Sequence, residues 1–101
     1  MTISRIELRV PAAMGVRFDS DSLIVDLEDG RTISIPLVWY PRLFHATPQE
    51  RENFRLIGSG EGIHWPDLDE DISIEHLILG IPSGESQASL QKWLEERRKD
   101  G

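Results

Sequence analysis

The chain contains no cysteine. Disulfides, thiolate nucleophiles and cysteine-based metal sites are therefore excluded. No apolar run approaches the roughly 20 residues needed to cross a bilayer. The opening stretch, Met1-Thr2-Ile3-Ser4-Arg5-Ile6-Glu7-Leu8, alternates polar and apolar residues. A signal peptide needs an uninterrupted apolar core there, so the expectation is a cytoplasmic protein. The most informative absence is of positive charge. From Leu56 to Gln91 there is no lysine or arginine. That segment holds Glu61, Asp67, Asp69, Glu70, Asp71, Glu75 and Glu85, and thus the whole net charge of -7. The rest of the chain is neutral. An acidic segment of this kind repels a phosphate backbone and attracts a basic partner. Taken blandly, it is a solvated face that keeps the protein soluble.

What is present fits one small domain. The 101 residues have room for a single core. Apolar residues are 39% of the chain, and the mean hydropathy is -0.33. Apolar positions recur through most of the sequence, which argues against disorder. Residues 1–84 form the expected α+β body, and residues 85–101 add a C-terminal helix of the same domain.

The first third reads as strands. Ile6, Leu8 and Val10 alternate with polar residues, and Pro11 to Gly15 interrupt the pattern. Val16 and Phe18 resume it, followed by the rows Leu23, Val25, Leu27 and Ile33, Ile35. Register follows from the demand for one apolar face. A two-residue loop at Asp29-Gly30 puts the rows on opposite faces. A three-residue loop, Glu28-Asp29-Gly30, sets Ile33 opposite Val25 and Ile35 opposite Leu23. The prediction is a type I turn with Gly30 left-handed in a bulge. The same test sets Phe18 opposite Leu23 across a four-residue loop. Three antiparallel strands then share an apolar face, which short helices must cover.

Helix signals follow. Pro41 suits the first turn of a short helix with Leu43 and Phe44 inward. Thr47-Pro48-Gln49-Glu50 has the features of a capping box, and that helix should end near Phe54. Gly58 to Gly62 is a glycine-rich turn and Ile63-His64-Trp65 a short strand. Asp67 to Asp71 reads as a loop. Ser73 caps a helix through Leu79, which Gly80 ends. Pro82-Ser83-Gly84 is a hinge or linker. The last helix runs from Glu85 to Lys99, with Leu90, Trp93 and Leu94 on one side and Arg97, Arg98 and Lys99 suiting its C-terminal dipole.

Familiar chemical motifs fail on inspection. The glycine run lacks a following helix and a lysine, so it is no phosphate cradle. Asp67, Asp69 and Asp71 open like a calcium loop, but the required glycine and glutamate are Ile72 and Ile78. His45, His64 and His76 have no zinc spacing and are expected half-buried at element edges. Gly58-Ser59-Gly60 is out of frame for a nucleophile elbow. No catalytic residue, metal or cofactor is expected. Trp39, Tyr40, Trp65 and Trp93 serve as core or as interface anchors. Trp65, beside the acidic loop, is the best anchor candidate. Nucleic-acid stacking needs interleaved basic residues, and Trp65 has none nearby.

Three stretches carry a family resemblance: Pro36-Leu37-Val38-Trp39-Tyr40-Pro41-Arg42-Leu43, His45-Ala46-Thr47-Pro48, and Gly62 through Ser73. The turn Asp29-Gly30-Arg31 and the tail Pro82 to Ser86 join them. Together they resemble the bacterial family called domain of unknown function 2442. The resemblance implies a small α+β domain with no agreed enzymatic activity. Some members resemble the acidic partner in toxin–antitoxin-like gene pairs. Others look like N-terminal domains of helix-turn-helix proteins, but here one helix follows Gly84, too little to read DNA. The expectation is a non-enzymatic, antitoxin-like interaction module. Trp65, Asp67, Asp69, Glu70 and Asp71 would face a basic protein, with no direct nucleic acid or membrane contact. Two alternatives stand beside it. One is a metal-assisted hydrolase using His64 with Asp67 or Asp69. The other is a homo-oligomer packed through Leu90, Trp93 and Leu94.

Overall fold

The computed structural model describes residues 10–100. The expected strand around Ile6 and Leu8 lies outside them. β1 (Ala13–Phe18), β2 (Ser22–Leu27) and β3 (Thr32–Pro36) form an antiparallel sheet in the order β1-β2-β3. Phe18 pairs with Leu23, Val25 with Ile33, and Leu23 with Ile35. These are the registers that a single apolar face requires. At the second turn Gly30 has φ 94° and its N–H donates to the Leu27 carbonyl at 3.1 Å. Glycine reaches this backbone region without a Cβ clash. β1 starts earlier than the sequence pattern implied. The pairing slips between Ala13 and Gly15, so the interruption at residues 11–15 is a bulge that leaves Met14 exposed.

The cover over the apolar face is not helices alone. β4 (Arg55–Ile57), β5 (Gly62–Trp65) and β6 (Glu70–Ser73) make a second antiparallel sheet, order β4-β5-β6. The expected loop at Asp67 to Asp71 thus ends inside a strand. Acidic residues are poor strand formers in isolation, but Ile72 is pulled in opposite Ile63 and carries its neighbours with it. Gly60 joins the two sheets. Its carbonyl accepts from the Ala13 N–H at 2.8 Å, and a Cβ there would lie 2.6 Å from the Ala13 carbonyl oxygen. Only glycine permits that approach.

A 3-10 turn (Leu37–Trp39) leads to α1 (Pro41–Phe44) and α2 (Pro48–Glu52). The α2 capping box forms: the Thr47 hydroxyl accepts from the Glu50 N–H at 3.1 Å, and the Thr47 N–H donates to Glu50 Oε1 at 2.9 Å. The helix stops at Glu52, short of Phe54. α3 (Ile74–Leu79) is capped by Ser73 and closed by left-handed Gly80, as the sequence signals require. α4 (Gln87–Asp100) begins two residues later than expected.

One core lies between the sheets. Leu23, Val25 and Ile35 face Ile63, Trp65 and Ile72, and Leu37, Tyr40, Leu43, Leu68, Ile74 and Leu77 close the sides. Of the α1 pair expected inward, Leu43 is buried and Phe44 is exposed. A four-residue helix turns only one of two consecutive side chains toward a core. The Pro82 segment is no free linker at its start, since the Ser83 N–H donates to the Trp39 carbonyl at 3.0 Å and the Tyr40 hydroxyl to the Ile81 carbonyl at 2.7 Å.

Candidate functional site

The β5–β6 hairpin sorts the expected binding residues by strand parity. Side chains alternate between faces, so His64, Asp71 and Ser73 point outward while Ile63, Trp65, Glu70 and Ile72 point inward. Trp65 is therefore withdrawn from any interface. It is 0% exposed. Its ring lies 6.3 Å from both Phe18 and Phe54, and its Nε1–H donates to the Arg51 carbonyl at 3.0 Å. A ring with its polar atom satisfied and no surface left is a core residue. The expectation of Trp65 as an anchor is corrected on that ground.

Glu70 is also drawn inward. Burial pushes its carboxyl up to about 7, with Arg42 opposing the rise and Glu85 adding to it. Glu85, from the same acidic segment, is neutralised by an arginine of the first half. Arg42 Nη2 lies 2.7 Å from Glu85 Oε2, Arg42 Nε 3.0 Å from both carboxylate oxygens, and Arg42 Nη1 donates to the Leu68 carbonyl at 2.9 Å. The guanidinium holds Glu85 below the usual carboxylate range. Burial of the pair is deep, with 16% and 11% of the two side chains exposed.

The remaining acids stay on the surface. Asp67 accepts from the Asn53 amide at 2.9 Å, and Asp71 meets His64 Nδ1 at 2.5 Å. Glu61, Asp69 and Glu75 are exposed. Asp69 stands in the left-handed region with φ 50°, which a short polar side chain tolerates. The exposed acids of the segment are thus Glu61, Asp67, Asp69, Asp71 and Glu75, fewer than the sequence implied, and Asp69 lines a cleft with Arg42 and Lys92. His64 has Asp71 as its carboxylate partner, not Asp67 or Asp69. His45 and His76 are exposed, contrary to the expectation of half-burial. Among the described residues no three of His, Asp and Glu are grouped to hold a metal ion.

Two features escaped the sequence pattern. The first is the seam of α4. The Trp93 ring carries two guanidinium groups, Arg42 at 5.1 Å and Arg97 at 4.6 Å from its centroid. Arg97 in turn forks onto Glu50 at 2.7 and 2.8 Å, and this holds the Glu50 carboxyl down to about 2. Leu90 is buried, Trp93 packs on the body and Leu94 is half-buried. Pairs separated by more than 40 residues leave no local signal. The second feature is an apolar strip. Val38, Trp39, Leu79 and Ile81 are between 37% and 64% exposed. The hydrogen bonds of Ile81 and Ser83 to residues 40 and 39 draw these segments alongside each other. Adjacent prolines around Trp39 were the only hint of it.

No helix among the described residues is long and apolar enough to cross a membrane. The fold is shared with a protein of unknown function from Rhodospirillum rubrum, known from a crystal structure. It is 33% identical with a TM-score of 0.66, over 81% of this chain and 99% of that one. An uncharacterized protein from Chromobacterium violaceum, solved by NMR, is similar in fold, with 23% identity and a TM-score of 0.62 over 85% of this chain and 75% of that one. No curated protein matches the chain at a significant level. Residues 13–83 match the model of a family described as protein of unknown function, DUF2442, and to that family the chain belongs.

Proposed function

We propose that this protein is a non-enzymatic interaction module that binds a basic protein, in the manner of an antitoxin. One observation carries the reading: Glu61, Asp67, Asp69, Asp71 and Glu75 are exposed within a segment that has no lysine or arginine of its own. Complementary charge of this kind raises the association rate and sets partner choice more than it raises final affinity. The test is affinity capture from the native cell with wild-type protein and with Asp67→Asn, Asp69→Asn, Asp71→Asn combined. A basic protein should be retained at low salt, released at moderate salt, and lost from the triple variant. Retention that ignores both salt and substitution would end the proposal.

A second reading, self-association, is favoured by the Val38, Trp39, Leu79 and Ile81 strip. An exposed apolar surface of this kind marks an interface more often than chance. The Leu79→Glu variant separates it from the first. Light scattering should then fall to the monomer mass while capture of the basic protein persists.

A further inference from the structure

The body of the protein presents a complete helix-docking groove, and α4 fills it. Three receptor groups define the groove. Arg42 on α1 offers a guanidinium that takes Glu85, just ahead of α4. Glu50 on α2 offers a carboxylate that takes Arg97. Between them the body receives the Trp93 ring. All the receptor residues lie within the family-matched residues 13–83, whereas α4 lies wholly outside them.

The hold on α4 is mainly charged. Leu90 is the only buried residue among the described side chains of the helix. Trp93, Leu94 and Arg97 are half-buried, and the other described side chains of the helix are exposed. A cleft of about 310 Å³ remains open along the seam, lined by Arg42, Asp69, Ser89, Lys92, Trp93 and Glu96. Water and ions reach the outer edge of the seam, and the Arg97–Glu50 pair, with 28% and 20% of its side chains exposed, is the more open to screening of the two. The tether also permits release. Backbone anchoring ends at Ser83, and a Cβ on Gly84 would meet nothing within 4 Å. Gly84 is thus the pivot that release of α4 would use, at the cost of the Arg42–Glu85 pair.

We infer that this groove is an interaction site for a helix of a partner protein, occupied in cis by α4 in the free state. The partner helix carries a carboxylate at its start, an aromatic ring about two turns on, and an arginine one turn further. This chemistry complements Arg42, the Trp93 seat and Glu50 in that order. The site meets the exposed acids only at Asp69, which lines the seam, and it does not depend on Glu61, Asp67, Asp71 or Glu75.

The probe is a fluorescein-labelled peptide of residues 85–101. The receptor is the full chain with α4 weakened by Trp93→Ala and Arg97→Ala. Anisotropy should show saturable binding to the weakened chain, at least tenfold tighter than to wild type. Adding Glu50→Arg should abolish binding, and a peptide with Arg97→Glu should restore it. Hydrogen exchange on the same receptor should show α4 amides unprotected and β5 amides still protected. Three outcomes would overturn the inference. Loss of β5 protection would make α4 an integral part of the fold. Persistent α4 protection would make it no strap. A well-folded, released receptor that ignores the peptide would make the groove no site.

Discussion

Two tryptophans of this protein sit in opposite surroundings. Trp65 has Phe18 and Phe54 at its edges and lies in a core in which every buried side chain is hydrophobic. Trp93 has two guanidinium groups over its ring, each tied to a carboxylate. The first region is held by removing apolar surface from water, an effect that is non-directional and little affected by salt. The second is held by charge-assisted hydrogen bonds, which are directional and weaken as ions are added. One residue type thus serves as mortar between the sheets and as a clamp pad at the helix seam. The difference teaches that the body and α4 should answer to different perturbations.

Trp65→Ala strikes the body and should have the largest effect, about 3–5 kcal/mol of lost stability. Denaturant melts should show the same loss at low and high salt. A loss that shrinks with salt would blur the contrast between the two regions.

Glu70 probes the boundary between them, because it points inward from β6 beside Arg42 and Glu85. Its folded value of about 7 exceeds the ordinary 4.5, so the folded state holds this proton more tightly than the unfolded state. The contribution is fully present below about pH 4.5 and is lost as pH rises through 7. Glu70→Gln should remove that dependence and raise stability at pH 8 by about 2 kcal/mol. Urea midpoints across pH 5 to 8 would check it. Glu50 has the opposite sign. Its carboxyl is held at about 2, so its contribution is present above pH 4.5 and fades as pH falls toward 2.

Arg42→Met removes the cation shared by Glu85, the Leu68 carbonyl and the Trp93 ring. The expected cost is about 1–3 kcal/mol, concentrated in α4. Hydrogen exchange should rise in α4 well before it rises in β2 or β5. Smallest is Trp93→Ala measured for salt dependence. Its stacking on two guanidinium groups is worth about 0.5–1 kcal/mol at a partly exposed site. The difference from wild type should narrow between about 0.05 and 0.5 M salt.

How much of this was legible varied along the chain for physical reasons. β1 to β3 were readable because period-two alternation and a glycine turn leave one register that buries every apolar row. The capping box at Thr47 and the Ser73 and Gly80 caps were readable because backbone satisfaction at a helix end is local. β6 was not, because Glu70, Asp71 and Ser73 suggest a loop until Ile72 is seen opposite Ile63. The site was less legible than the fold. Asp67, Asp69 and Asp71 are on the surface as expected, while Trp65 and Glu70 are drawn inward, because β6 pairs with β5 and sets Glu70 opposite Trp65 on the core face.

The amino-acid order alone determined the registers of the first sheet, the caps at Thr47, Ser73 and Gly80, the missing thiol chemistry and the location of the net charge. These depend on neighbours within a few residues or on composition. Only the tertiary structure decided which acids remain on the surface, which tryptophan is buried and how α4 is held. Each of those outcomes rests on a group from the first half of the chain reaching one from the second, as Arg42 reaches Glu85 and Glu50 reaches Arg97. A linear pattern carries no measure of such distances.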